Sequence, residues 1–302
     1  MIYTVTLNPS IDCYMTLDAL KEGATNRAGS EHIRYGGKGI NVSIVLKELG
    51  VANTALGFIA GSNGIAIREG LKERIDTDFI MLDNGNSRIN LKIRTAEGET
   101  EVNGIGPVID DNALKRLFER FDKLTGEDTV ILSGSVPQGL SETIYADMAD
   151  KITSNGASFV CDSTRKLLLN TLKFGPEVIK PNVDELGDFF EKKIDPMDMD
   201  EIYSCALKLK GMGAKEVIVS LGKDGAVILD DKNAFTMFSA YKGEVKSSVC
   251  AGDSLLAGFI AGKKKGLSSA DALELGVAAG SACAFSYDLP TLEEINNLLG
   301  KA

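Results

Sequence analysis

From residue 110 onward, short apolar runs alternate with longer amphipathic ones, and this alternation limits what the chain can fold into. The runs Thr129-Val130-Ile131-Leu132, Ser158-Phe159-Val160-Cys161, Val178-Ile179, Glu216-Val217-Ile218-Val219 and Ala226-Val227-Ile228-Leu229 read as strands. Apolar residues at helical spacing predict helices over about 111–124, 141–155, 183–192, 199–213, 253–265, 269–286 and 291–299. Strands separated by helices build a mostly parallel central sheet with helices on both faces, an α/β fold. Ligands of such sheets bind beyond the C-terminal ends of the strands. There the chain places Asn8-Pro9, Ser133-Gly134-Ser135, Asp162, Lys180-Pro181-Asn182 and Ser220-Leu221-Gly222.

The N-terminal third differs. Residues 2–8 read as a buried first strand, and Val42, Val45, Leu46 and Leu49 share one face of a helix that Gly50 closes. Thr54 to Ala60 reads as a strand and Ile65 to Glu73 as a helix. Arg88 to Arg94, however, alternates strictly between apolar and polar residues, and Thr100 to Asn103 pairs back on it across Glu97-Gly98. Strands with one charged face do not belong in the middle of a parallel sheet. This hairpin, with 12–17 and 31–35, is expected to form a small antiparallel sheet from about 12–17, 31–35 and 88–103; the alternative is an edge hairpin of the main sheet. No linker or repeat splits residues 1–302, which are expected to form a single domain.

Charge and residue counts remove several function classes. A net charge of -10 gives no electrostatic footprint for nucleic acid. No apolar run has the length of a membrane span, and the N-terminus shows neither the basic region nor the small-residue cleavage site of a signal peptide, so a cytoplasmic protein is expected. Five scattered cysteines argue against a disulfide framework or structural zinc. The lone histidine, His32, reads as an exposed strand residue and leaves no Ser-His-Asp triad or multi-histidine metal site. Acid–base chemistry would then fall to carboxylates or lysine. Neither a pyrophosphate loop nor a dinucleotide fingerprint is present.

Three stretches could carry chemistry, each with a plainer structural reading. Ala251-Gly252-Asp253-Ser254 precedes a helix with Leu255, Leu256, Phe259 and Ile260 on one face. Asp253 or Ser254 is either the N-cap of that helix or, at Asp253, a proton acceptor beside an anion site made by the helix start. Asp12 with Gly36-Gly37-Lys38-Gly39-Ile40-Asn41 could hold sugar hydroxyls and an anion, or be a flexible turn. Lys180-Pro181-Asn182 with Glu185, and Ser220-x-Gly222-x-x-Gly225, could touch a nucleotide; a capping box and a β-turn are the alternatives.

The order of these motifs along nearly the whole chain resembles the ribokinase-like, minor-phosphofructokinase type of carbohydrate kinase. The resemblance rests on Asn8-Pro9-Ser10-Ile11-Asp12, Gly36-Gly37-Lys38-Gly39-Ile40-Asn41-Val42, Ser133-Gly134-Ser135-Val136-Pro137, Lys180-Pro181-Asn182-x-x-Glu185, Ser220-x-Gly222-x-x-Gly225 and Ala251-Gly252-Asp253-Ser254. Within the family, Arg88-Ile89-Asn90, Thr100 to Asn103 with Gly104-x-Gly106-Pro107, and Ala282 to Ser286 favour the branch that phosphorylates fructose 1-phosphate. The tagatose 6-phosphate branch is the nearest alternative.

The resemblance implies a ribokinase-like fold whose small β sheet acts as a lid and as the clasp of a homodimer. It implies ATP as co-substrate with Mg2+, and a phosphosugar as acceptor. Asp253 would be the general base, and Ala251, Gly252 and Asp253 would supply the anion hole. Asp12, Gly37 and Asn41 would hold the sugar, Asn90 would touch it from the lid, and Lys38, Arg88 and Ser135 would hold its phosphate. Lys180, Asn182, Ser220, Gly222 and Gly225 would line the ATP site, and Glu185 would organise magnesium through water. Cys250 departs from the pattern, because relatives usually carry glycine there. Two other classes share the architecture: a non-catalytic sensor, which would lose the aspartate or the glycines, and a nicotinamide oxidoreductase, which would carry the missing fingerprint.

Overall fold

The structure, a computed structural model, describes residues 1–300. Strands β1 (Ile2–Thr6), β2 (Ser10–Thr16) and β3 (Ser30–Gly36) lead to helix α1 (Lys38–Glu48). Then follow β4 (Asn53–Ala60), α2 (Gly61–Leu71), β5 (Asp76–Leu82), β6 (Arg88–Thr95) and β7 (Gly98–Asn103). Next come α3 (Asp111–Phe121), β8 (Thr129–Ser133), α4 (Ile144–Ser154), β9 (Ser158–Asp162), α5 (Arg165–Leu169) and β10 (Val178–Ile179). The chain continues through α6 (Val183–Phe189), α7 (Met199–Gly211), β11 (Glu216–Ser220), β12 (Ala226–Leu229) and β13 (Phe235–Phe238). It closes with α8 (Ala251–Lys264), α9 (Ser269–Ala284) and α10 (Leu292–Leu298).

Nine strands form the central sheet in the order β13-β12-β11-β10-β9-β8-β1-β4-β5. The β11–β12 and β12–β13 junctions are antiparallel; the others are parallel. Side chains alternate between two cores, as a sheet buried on both faces requires. Val130 and Leu132 of β8, and Val217 and Val219 of β11, enter one core; Ile131 and Ile218 enter the other. Helices α3 to α7 cover the first face, and α1, α2, α8, α9 and α10 the second. The sequence reading missed β5 and β13, at the two edges of the sheet, and the short helix α5.

Helix α8 is fixed by close packing on α9. A Cβ at Gly258 would come within 2.8 Å of the Gly276 Cα, so only glycine lets the two backbones approach this closely. Phe259 behind them is fully buried, a contribution of about 1.5–3 kcal/mol. This packing sets where the N-terminus of α8 points.

The second sheet has the order β3-β2-β6-β7. Its two hairpins are antiparallel, and β2 pairs with β6 in parallel. The sheet is inside-out. Asp12, Arg34, Asn90 and Lys92 on one face are buried, whereas Ile33, Ile89 and Val102 on the other are exposed. A polar face is buried here because it closes over the cleft beyond the strand ends. Among the described residues no helix is long and apolar enough to cross a membrane.

Candidate active site

A cleft of about 1000 Å³ lies between the polar face of the small sheet and the C-terminal ends of the central strands. Every residue to which the resemblance gave a site role lines it: Asp12, Gly37, Lys38, Asn41, Arg88, Asn90, Ser135, Lys180, Asn182, Glu185, Ser220, Gly222, Gly225, Ala251, Gly252 and Asp253.

At its centre is the start of α8. The helix begins at Ala251, with Cys250 as N-cap, two to four residues earlier than the sequence suggested. Cys250 makes no side-chain capping bond, and Asp253 is already inside the first turn. The expected N-cap role of Asp253 or Ser254 is therefore corrected. Instead, Asp253 Oδ2 accepts from the Asn41 amide at 2.8 Å. First-turn N–H groups have no partner within their helix, so the backbone at Gly252 and Asp253 offers donors to an anion. The Ala251 N–H reaches Ser248 O at 3.4 Å.

Burial raises the Asp253 carboxyl to about 6, against the opposing pull of the Lys38 cation, with the Asp162 charge adding to the rise. Such a group is ionised at neutral pH and still basic enough to take a proton.

The small sheet and α1 bring polar groups to the cleft. Ser10 Oγ and Asn90 Nδ2 both donate to Asp12 Oδ1, at 2.8 and 2.7 Å. Asp12 Oδ2 and Asn41 Oδ1 come within 3.3 and 3.1 Å of where a Gly36 side chain would sit. Gly37 has φ 122, and a Cβ there would meet the Thr6 methyl at 2.7 Å, so the turn into α1 requires glycine. Lys38 opens α1 and lies 3.5 Å from Asp162, whose charge raises the lysine further above its usual value. Arg88 donates to Asn8 O at 3.1 Å. The Asn8 and Asn90 Oδ1 atoms are buried without partners, as acceptors awaiting donors would be.

Lys180, Asn182, Glu185 and the loop after β11 line the same cleft. Lys180 is buried 3.3 Å from Asp162, and its Nζ is 3.3 Å from where a Gly252 Cβ would be. Burial opposes the charge on Asp162, but Lys180 and Lys38 outweigh it and hold the carboxyl below its usual range. Asn182 and Glu185 form a full capping box: Asn182 Oδ1 accepts from the Glu185 N–H at 2.7 Å, and Glu185 Oε2 from the Asn182 N–H at 2.9 Å. The plainer reading of Glu185 is thus real, and the residue still faces the cleft. At Gly225, φ is 105 and a Cβ would lie 2.0 Å from Phe238 O.

Sequence reasoning assigned no role to Arg34, Lys92, Glu101, Asn103, Asp162, Tyr241 or Phe285, which line or support this site. For Lys92 and Asn103 the alternation of the hairpin was the available signal. For Asp162 it was only a carboxylate at a strand end.

The family model described as pfkB family carbohydrate kinase matches residues 5–292. The chain belongs to the pfkB family of carbohydrate kinases. It is 40% identical over 300 residues to 1-phosphofructokinase of Bacillus subtilis, covering 99% of this chain and 97% of that one. It is 36% identical over 297 residues to D-tagatose-1-phosphate kinase of Bacillus licheniformis, covering 98% and 96%. The fold matches that of Escherichia coli phosphofructokinase-2, solved in complex with substrates and products, with a TM-score of 0.93 at 24% identity over 99% of this chain and 98% of that one. As a pfkB kinase the chain has the expected architecture, a large mostly parallel sheet with a smaller, mainly antiparallel one. The tagatose kinase found among these relatives is named for the 1-phosphate, not the 6-phosphate named in the sequence reading.

Proposed function

We propose that the chain transfers the γ-phosphoryl group of ATP to fructose 1-phosphate, giving fructose 1,6-bisphosphate. The observation that supports this reading is one buried carboxylate, Asp253, lining a single cleft together with the residues proposed to hold the sugar and those proposed to hold ATP. The choice of sugar is supported by the Bacillus subtilis 1-phosphofructokinase relative.

In this reading Asp253 takes the proton of the acceptor hydroxyl as it attacks, while the N–H groups at Ala251, Gly252 and Asp253 receive the charge of the transferring group. Asp12, Gly37 and Asn41 hold the sugar and Asn90 touches it from above. Lys38, Arg88 and Ser135 hold the phosphate it already carries. Lys180, Asn182, Ser220, Gly222 and Gly225 receive ATP. The small sheet excludes water so that ATP is not hydrolysed.

Magnesium would neutralise charge on the nucleotide phosphates. Among the described residues no group of three or more His, Cys, Asp or Glu is arranged to chelate a metal. A single carboxylate with one oxygen in a capping box fits an ion held mainly by phosphates and water, and Glu185 is that residue. The exposed apolar face of the small sheet supports a homodimer joined through it, and an ATP-using enzyme of this kind belongs in the cytoplasm.

The test is ADP release with fructose 1-phosphate, fructose 6-phosphate, tagatose 1-phosphate and tagatose 6-phosphate. The highest kcat/KM is expected with fructose 1-phosphate; fastest turnover with a tagatose phosphate would replace it as substrate. A second reading, a D-tagatose 1-phosphate kinase, is favoured by the 36% identity to the Bacillus licheniformis enzyme.

A further inference from the structure

Cys250 stands in the left-handed region at φ 67, ψ 0, a conformation that L side chains adopt at a cost and glycine adopts freely. The thiol has two donors. Arg34 Nη2 lies 3.3 Å from Sγ, and Asn41 Nδ2 lies 3.2 Å from it. The same Asn41 amide donates to Asp253. Arg34 comes from strand β3 of the small sheet, is 8% exposed, and is itself held by Asp288 at 3.5 Å and by the Tyr14 ring, 5.4 Å away. A continuous chain of contacts therefore runs from the small sheet through Arg34, Cys250 and Asn41 to the carboxylate at the centre of the cleft.

We propose that Cys250 is a positioning residue: its sulfur accepts from Arg34 and Asn41 and so ties the small sheet to the Asn41 amide that orients Asp253. It touches no reacting atom in this role. Without the sulfur, the Asn41 amide keeps one of its two acceptors and the buried Arg34 guanidinium loses one of its contacts. The amide is then free to turn, and the carboxylate it holds is less well aimed. The thiol is suited to accepting rather than reacting. Burial pushes its ionisation far up, against the opposing pull of Arg34, so it stays protonated.

The proposal rests on the kinase reading and makes stability and activity move in opposite directions. Cys250→Gly relieves the backbone and is expected to unfold at a temperature no lower than the parent. Its kcat/KM for the phosphosugar is expected to fall about 5- to 10-fold, the factor that one to two lost weak hydrogen bonds imply. KM for ATP should stay within about twofold. Cys250→Ser keeps an acceptor at the same place and is expected to recover most of that loss, whereas Cys250→Ala should behave like Cys250→Gly in activity without its gain in stability. The assay uses whichever phosphosugar the parent turns over fastest, so a wrong choice of sugar leaves the test intact. A parent inactive on every sugar phosphate would overturn the kinase reading and this inference with it. With an active parent, full activity in Cys250→Gly, or equal losses in Cys250→Ser and Cys250→Gly, would overturn the positioning role alone.

Discussion

Asn41 donates to Asp253 across 2.8 Å, and so joins the first turn of α1, which follows Gly36-Gly37, to the first turn of α8. The two residues lie 212 positions apart in sequence, and their contact fixes the carboxylate in a buried place where it is costly to keep charged. That cost has measurable consequences.

The first is pH dependence. The carboxyl titrates at about 6 in the folded protein, and only its ionised form can take a proton. The kcat/KM for the phosphosugar should therefore fall on the acid side with a midpoint near pH 6. A flat kcat/KM between pH 7.5 and 5 would contradict the assignment of Asp253 as base.

The same shift bears on stability. A folded pKa of about 6 lies above the ordinary value of 3.8, so keeping Asp253 ionised destabilises the fold, by a cost on the order of 3 kcal/mol. The cost is fully present above pH 6 and shrinks as pH falls from 6 toward 3.8, where the folded form protonates first. Asp253→Asn should thus melt above the parent at pH 7.5, and the gap should narrow at pH 5. A gap that widens on acidification would reverse the sign.

Glu185 has two roles that one substitution separates. Glutamine can still accept the Asn182 N–H, so Glu185→Gln should leave the melting temperature within a degree or two. If the carboxylate organises magnesium, the concentration of Mg2+ for half-maximal rate should rise by about 10-fold. An unchanged magnesium requirement would leave Glu185 as a cap alone.

The two glycines of the loop after β11 should respond differently. Gly222 has φ 59 with nothing within 4 Å of a new Cβ, so Gly222→Ala should cost only about 1 kcal/mol. At Gly225 a Cβ would lie 2.0 Å from Phe238 O and 2.7 Å from Ala240 N, so the backbone itself must move. Gly225→Ala should lower the melting temperature by many degrees more than Gly222→Ala, and raise KM for ATP. Equal effects measured by thermal melts would contradict this account of the loop.

Much of this was legible in the sequence because it is local. Apolar runs gave the parallel sheet, Ser133-Gly134-Ser135, Lys180-Pro181-Asn182 and Ser220-Leu221-Gly222 marked the strand ends where a ligand binds, and glycines beside Lys38 and Asp253 marked two helix starts. The strict alternation of Arg88 to Arg94 marked a sheet set apart. What was not legible depends on contacts distant in sequence. The pairing of Arg34 with Cys250 spans 216 positions, and Asp162 at the end of β9 bridges Lys38 at the start of α1 and Lys180 just after β10. The start of α8 was misplaced because Cys250 has no capping side chain and only its left-handed backbone marks the boundary. Strands β5 and β13 were missed at the sheet edges, where exposure dilutes the apolar pattern.

The most direct measurement is the turnover of Asp253→Asn with fructose 1-phosphate and ATP at saturation, with folding checked by a thermal melt. The account predicts a folded protein whose kcat is lower by at least about 10²-fold, with KM for ATP little changed. Near-parental turnover in that variant would contradict it.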